Sequence, residues 1–314
     1  LVGPISIFIE NWLLGTDGHG DSRHTDHASP AVSFAGVPIR CPIHRLELAA
    51  NIIGVQRFSA ILPEGHSMLR ISIITAVLNR VGTIALALAS VRAQRWREVE
   101  HIVIDGASTD GTLPILEAQR AHFSVLISEP DSGTYDALNK GLRHATGDVV
   151  GLMHSDDCYA DEWVLPRVAA AFDDPAIDGV YGDLDYVARD DPARIIRHWR
   201  AGDYTPTRLA WGWMPPHPTL YLRRSVIEKL GAFDTRYRIA ADYDAVLRYL
   251  AKGRIRLAYI PAVLVRMRVG GESNASVARI LRKSIEDYAA LRRHAVGGVG
   301  ALLWKNLSKV GQFF

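Results

Sequence analysis

Only two cysteines, Cys41 and Cys158, occur in 314 residues. Two thiols so far apart cannot build a disulfide framework, so a reducing compartment is the default and Cys158 reads as a small buried residue. No run of about 18 uninterrupted apolar residues occurs, and no membrane-spanning helix is expected. The apolar patch in residues 1–14 is broken by Glu10 and Asn11 and lacks a basic leader, so no signal peptide is expected either. An excess of one charge is also missing. Lys and Arg number 36 against 34 Asp and Glu, a net charge of +2, which offers no electrostatic argument for nucleic acid as a partner. Two nucleotide-binding signatures are absent. The segment from Thr75 to Gly82 contains one glycine, not the Gly-x-Gly-x-x-Gly of a dinucleotide fold, and no Gly-Lys-Ser/Thr phosphate loop occurs. What remains is a globular composition, 48% hydrophobic and 22% charged, with ample chain for a full core.

Residues 1–68 differ from the rest. Residues 15–27 are polar and turn-rich, with no hydrophobic period. His19, His24 and His27 among Asp17, Asp21 and Asp26 could form a metal cluster, but no strand or helix fixes their spacing, and a solvated segment is the simpler reading. Residues 45–53 could form a short helix. Met68 stands just before the first clear strand. The expectation is a non-essential extension over 1–68, with the folded domain beginning near Met68.

From residue 70 the pattern alternates. Residues 71–75, 99–105, 123–128 and 148–153 are apolar, β-branched runs. Residues 81–94, 113–121 and 134–145 are helical in composition, with Pro114 tolerated in a first turn. Strand, helix, strand at this spacing predicts an α/β fold with a parallel sheet and right-handed crossovers. The strand ends carry Thr75 and Asn79, Asp105, Glu129 and Asp131, and then Asp156 and Asp157. In an open sheet of this kind these ends share one edge, where ligands bind.

Four segments in this order, residues 71–79, 104–112, 128–141 and Ser155-Asp-Asp157, resemble family 2 glycosyltransferases of the GT-A fold. The likeness runs from about Arg70 to Ser273, and its nearest look is to the bacterial exopolysaccharide and lipopolysaccharide (colanic-acid-type) branch. It implies a Rossmann-like, mostly parallel central sheet flanked by helices, with a smaller acceptor-side β region and C-terminal helices. The nucleotide half is 69–160 and the acceptor half 161–273. It further implies an inverting enzyme that takes a sugar from a UDP- or GDP-linked donor with a divalent cation, Mn²⁺ or Mg²⁺. Such a cation neutralises a departing diphosphate with one or two carboxylates and phosphate oxygens. Asp157 is the preferred metal ligand, and Asp156 shares the metal or contacts the donor. Many relatives have an acidic residue at the place of His154, so the full Asp-x-Asp form is missing. Helix capping before residues 162–172 is the alternative for these two acids. Likeness places Thr75 and Asp105 at the nucleotide base, where a carboxylate can accept an imide N–H. Asn79, Asp131, Tyr135 and Asn139 line the nucleotide pocket, with Lys140 near phosphate. Asp105 could instead form a turn, and Lys140 could pair with Asp136 on the surface.

In the acceptor half, residues 179–187 and 194–199 read as paired strands, 201–216 as a mobile loop and 217–222 as a strand returning to the sheet. Trp211 and Trp213 either stack on a sugar or pack the loop. His217 is a candidate acceptor or diphosphate contact, or a structural histidine. Likeness matches Asp242 to the catalytic base that accepts the attacking hydroxyl's proton, with Asp244 as the fallback and helix capping as the plain alternative. Arg268 with Gly270-Gly-Glu-Ser273 resembles a loop over the diphosphate. The Gln-x-x-Arg-Trp motif of processive synthases is absent, which points to transfer of a single sugar.

The last stretch, 274–314, reads as amphipathic helices. Trp304, Lys305, Lys309 and the terminal phenylalanines suit a membrane interface, as a polyprenyl-diphosphate-linked saccharide acceptor would require. Packing on the domain is the alternative. The resulting expectation is a cytoplasmic glycosyltransferase, peripheral on the inner face of the plasma membrane. A sugar-nucleotide pyrophosphorylase or a non-catalytic nucleotide-binding relative are the competing functions.

Overall fold

The computed structural model describes residues 68–269 and 277–307, all within the compact unit Phe58–Phe314. β1 (Ile71–Val77) is almost wholly buried because it lies between two parallel neighbours, β2 (Val99–Asp105) and β4 (Val149–Leu152). Its Ile-rich, non-alternating sequence is what a strand covered on both faces requires. β3 (Val125–Ser128) extends the parallel set beyond β2. The connecting helices are α1 (Ile84–Arg92), α2 (Thr112–Ala118) and α3 (Thr134–His144). α3 lies close against the sheet through Gly141, where a Cβ would stand 2.4 Å from Ile74 Cγ2.

The expected α/β fold is present, and the acceptor-side strands continue the same sheet. After β5 (Cys158–Tyr159) and α4 (Val164–Ala171) come β6 (Gly179–Val187) and β7 (Ile195–Trp199), an antiparallel pair as the sequence indicated. β8 (Tyr221–Arg223) then pairs antiparallel with both β4 and β6, joining the two halves. β9 (Leu257–Arg268) runs parallel to β6. The order is β3-β2-β1-β4-β8-β6-β9-β5, with β7 on β6. One apolar layer combines Ile71, Ile73 and Val149 with Val164, Leu165 and Leu264. The opposite face of the parallel half packs Ile74, Ile102 and Ile104 on Leu138 of α3.

Several local expectations are corrected. His217–Thr219 is a 3₁₀ turn, not the start of a strand, because Pro218 has no N–H for a ladder. The segment 201–216 is not a structureless loop. It contains α5 (Pro206–Ala210), with Thr205 accepting the N–H of Arg208 and proline in the first turn. β9 escapes notice in the sequence because Pro261 interrupts it. In the structure Pro261 falls where the β6–β9 register skips from Gly182↔Ile260 to Asp183↔Val263. α6 (Arg224–Leu230) follows β8. α7 (Ala241–Leu247) runs on as a π turn over Arg248–Lys252, and α8 (Val277–His294) and α9 (Val299–Leu307) end the described chain. Among the described residues, no helix is long and apolar enough to cross a membrane. The histidine-rich stretch, the helix at 45–53, Gly270–Ser273, Lys309 and the terminal phenylalanines lie outside the described residues.

Candidate active site

A cavity of about 520 Å³ opens at the carboxyl ends of β1 and β4, where Ala76, Val77 and Leu152 form its floor. The loop after β3 and the start of α3 supply Asp131 and Tyr135. The turn after β4 supplies His154, Asp156 and Asp157. His217, Asp242 and Arg268 complete the set with Arg80, Arg238, Arg279 and Arg282. The expected Asp131, Tyr135, Asp156, Asp157, His217, Asp242 and Arg268 are thus brought to one cavity from five places in the chain.

Asp156 and Asp157 sit in a tight turn closed by the Asp157 N–H on the His154 carbonyl at 3.1 Å. They do not cap α4, whose N-cap is Trp163 without a side-chain bond. Asp157 is 3% exposed, and its Oδ1 accepts the Arg268 N–H at 3.3 Å. Burial, together with the adjacent Asp156 charge, pushes its carboxyl well above the usual range. Two carboxylates that repel each other on a cavity wall are a donor set for a hard dication. Among the described residues no group of three or more metal-ligating side chains forms. The pair therefore fits Mg²⁺ or Mn²⁺ held partly by substrate phosphate oxygens and water, and not an all-protein cage.

Asp242 lies in the first turn of α7, whose N-cap is Ala240 with no side-chain cap. Its Oδ1 is 3.0 Å from the Tyr135 hydroxyl and its Oδ2 is 3.1 Å from His217 Nδ1. The same Tyr135 hydroxyl lies 2.6 Å from the Ile239 carbonyl, so its one proton is shared between two acceptors and ties α3 to the entry of α7. Burial raises the Asp242 carboxyl, but His217, Lys305 and the Tyr135 hydroxyl outweigh it and hold it below the usual range. The second ring nitrogen of His217 lies 3.2 Å from His154 Nε2. Burial lowers both imidazoles, His154 to about 4 with His217 contributing, so both are neutral near pH 7. His217 Nδ1–H then donates to Asp242, and its Nε2 accepts from His154 Nε2–H.

The other expected site residues lie off the cavity wall. Asp105 is fully buried. Its carboxylate accepts from the Ser108 N–H, the Ser108 hydroxyl and the Ser128 hydroxyl. The next residue, Gly106, permits close approach of Asp131, since a Cβ there would stand 2.5 Å from Asp131 Oδ2. Thr75 is buried with its hydroxyl 3.1 Å from His101 Nε2. Asn79, at φ 52°, anchors the 106–111 loop by accepting the Thr109 N–H at 2.9 Å. Asn139 clips the backbone of Phe233, donating to its carbonyl and accepting its N–H. Lys140 pairs with Glu129 at 2.7 Å, replacing the expected surface pair with Asp136, whose carboxylate instead accepts the Ser132 N–H. Trp213 packs on Tyr181 and Tyr204 and donates to the Ala201 carbonyl, so packing is its observed role, while Trp211 is exposed.

Asp244 is removed as a fallback base. It is fully buried and accepts from His294 Nε2 at 2.8 Å, with Arg293 at 3.4 Å. Of the C-terminal helices, read in the sequence as a membrane contact or as packing on the domain, α8 reaches the cavity. Arg279 and Arg282 of α8 line the cavity, and Glu286 accepts the N–H groups of Arg238, Ile239 and Ala240 at the entry of α7. Lys305 of α9 is 4% exposed, paired with Asp287 at 2.8 Å and set over the Tyr243 ring. It therefore faces the domain rather than a membrane. The sequence reading missed the four cavity arginines and the His154–His217 contact. Arg279 and Arg282 fall in the stretch that the sequence marks only as amphipathic helix.

The glycosyl transferase family 2 model matches residues 72–231. A glycosyltransferase of Mycobacterium tuberculosis (strain H37Rv) is 32% identical over 186 residues, which is 57% of this chain and 68% of the relative. A PGL/p-HBAD biosynthesis glycosyltransferase of Mycobacterium bovis (BCG) is 30% identical over 211 residues, 66% of this chain and 80% of the relative. Among solved structures, Staphylococcus aureus TarS 1–349 in complex with UDP-GlcNAc superposes with a TM-score of 0.56 at 21% identity. The match covers 73% of this chain and 66% of that one. The mannosyltransferase PcManGT of Pyrobaculum calidifontis, in complex with GDP-Man and Mn²⁺, gives 0.55 at 19% identity, covering 77% of this chain and 69% of that one. At these identities the structural likenesses establish the fold.

Proposed function

The chain belongs to glycosyl transferase family 2 and is a glycosyltransferase, and from that premise we propose an inverting, cation-dependent transfer of a single sugar from a UDP- or GDP-linked donor to a saccharide hydroxyl. The family match overturns the pyrophosphorylase alternative. The observation that carries the reading is one cavity holding the Asp156–Asp157 pair together with Asp242, whose carboxylate is kept ionised by its neighbours. Neighbours of the same fold in complex with UDP-GlcNAc and with GDP-Man and Mn²⁺ support the donor class and the cation.

In this reading Asp157 and Asp156 would hold a divalent cation, which when bound would neutralise charge on the leaving diphosphate. Arg268 and the cavity arginines face the same negative charge. Asp131, with Asp105 and the Asn79-held loop behind it, marks the nucleotide end, with Thr75 and Asn139 supporting its walls and Lys140 holding the preceding turn through Glu129. Asp242 accepts the proton of the acceptor hydroxyl as its oxygen bonds to the anomeric carbon and the bond to the diphosphate oxygen breaks. His217 keeps Oδ2 of Asp242 aimed by donating from Nδ1, and the unreacting lone pair of its Nε2 is satisfied by His154. His154 thus replaces an acidic residue with a group that supports the base.

We place the catalytic unit from residue 69 onward, with residues 1–68 dispensable. The acceptor is a lipid-linked saccharide, of the polyprenyl-diphosphate kind, in cell-surface polysaccharide synthesis of the exopolysaccharide or lipopolysaccharide type. The enzyme works on the cytoplasmic membrane face. The test is nucleoside-diphosphate release from a panel of UDP- and GDP-sugars with and without Mn²⁺. Release that is lost on chelation and lost in Asp242→Asn supports the reading. Release that is indifferent to both defeats it.

A further inference from the structure

α8 has two unlike faces. Its acids are consumed inward, Glu286 by three backbone N–H groups before α7 and Asp287 by Lys305. Ala290, Leu291 and His294 are buried on the same side. The outer arc carries Leu281 and Ile285, each 62% exposed, with Ala289 one turn further on. These positions are spaced i, i+4, i+8 and form one stripe. Exposed Arg282 and Arg292 share the arc, and no acidic side chain interrupts it. An aliphatic stripe beside arginines, with the acids segregated to the opposite face, is the pattern of a helix lying in a membrane interface.

We propose that this outer face of α8 docks on an anionic lipid bilayer. Two aliphatic side chains alone partition weakly, so the arginines must supply the rest. Each cation near an anionic leaflet is worth about fivefold in affinity, and the effect is screened by salt. The contact is therefore reversible and lipid-selective. It also replaces α9 as the membrane element, because Lys305 and Ala301 of α9 are buried against the domain. Arg279 and Arg282 at the first turns of the same helix line the active-site cavity, so docking sets the cavity mouth against the bilayer. This last step rests on the lipid-linked acceptor proposed above; the docking itself does not.

The test is co-sedimentation of the full chain with vesicles of phosphatidylcholine alone and of phosphatidylcholine with phosphatidylglycerol. The expected result is pelleting with the anionic vesicles, release at high salt and at least about tenfold weaker binding to the neutral ones. The double variant L281S/I285S should bind the anionic vesicles about tenfold less, with the melting temperature and the turnover of donor sugar in solution unchanged. Wild-type protein that stays in the supernatant with both vesicles overturns the proposal, as does a double variant that binds like wild type. A double variant that melts earlier, or that splits a wild-type dimer, also overturns it, since the face is then covered by protein. Donor turnover is read separately, so failure of the transferase reading is distinguishable from failure of the docking.

Discussion

Two pairs of acids, Asp156 with Asp157 and Asp242 with Asp244, stand out in the sequence, yet the structure treats them in opposite ways. The first pair sits in a turn beyond a strand, where adjacent residues can face one cavity, and both line it. The second pair lies on α7, where a spacing of two turns the side chains about 200° apart, so one faces the cavity and the other the core. Asp242 meets Tyr135 and His217, whereas Asp244 meets His294 and Arg293. Two carboxylates close in sequence make a shared site only where the backbone lets both oxygen pairs converge.

The contrast can be broken most sharply at Asp242. Asp242→Asn should lower transfer by about a thousandfold, the scale of a lost general base, with donor affinity by calorimetry nearly unchanged. Asp244→Ala should do the reverse. It strands the buried His294 and costs about 3 kcal/mol in urea denaturation, while turnover per folded molecule persists. Comparable activity losses in both would erase the distinction. Asp157→Asn should reduce transfer by roughly a hundredfold and flatten its dependence on Mn²⁺ concentration, measured by nucleoside-diphosphate release. The smallest effect is expected at His217. His217→Gln should cost about tenfold in kcat and move the acid limb of the pH–rate profile. Asp242 must be ionised to act. Burial raises its carboxyl and His217 is the main influence lowering it, so loss of His217 raises that carboxyl's pKa and the limb shifts to higher pH. A limb that stays in place would reduce His217 to packing.

The same contrast shows what could be read from the chain. The parallel half was legible because each β-branched run is buried by its own sequence neighbours, β1 between β2 and β4 and α3 against both β1 and β2. The polar strand ends were legible too, and Asp131, Asp156 and Asp157 reached the cavity. What the sequence could not show is which polar atoms are already spent. Asp105 and Asn79 look like site residues, yet their oxygens are committed to the Ser108 loop, a closure visible only in three dimensions. β9 was hidden by Pro261, whose missing N–H is absorbed by a register skip against a strand some eighty residues earlier. The arginines of α8 meet the cavity only through the docking of that helix, which no local periodicity encodes.

The three N–H groups gathered by Glu286 bear on the order in which the enzyme comes into being. α7 has no cap of its own, and the carboxylate that satisfies its entrance arrives from a helix nearly fifty residues later in the chain. Synthesis runs from the N-terminal end, so the entrance of α7 gains the acceptor for its N–H groups only after residue 286 has been made.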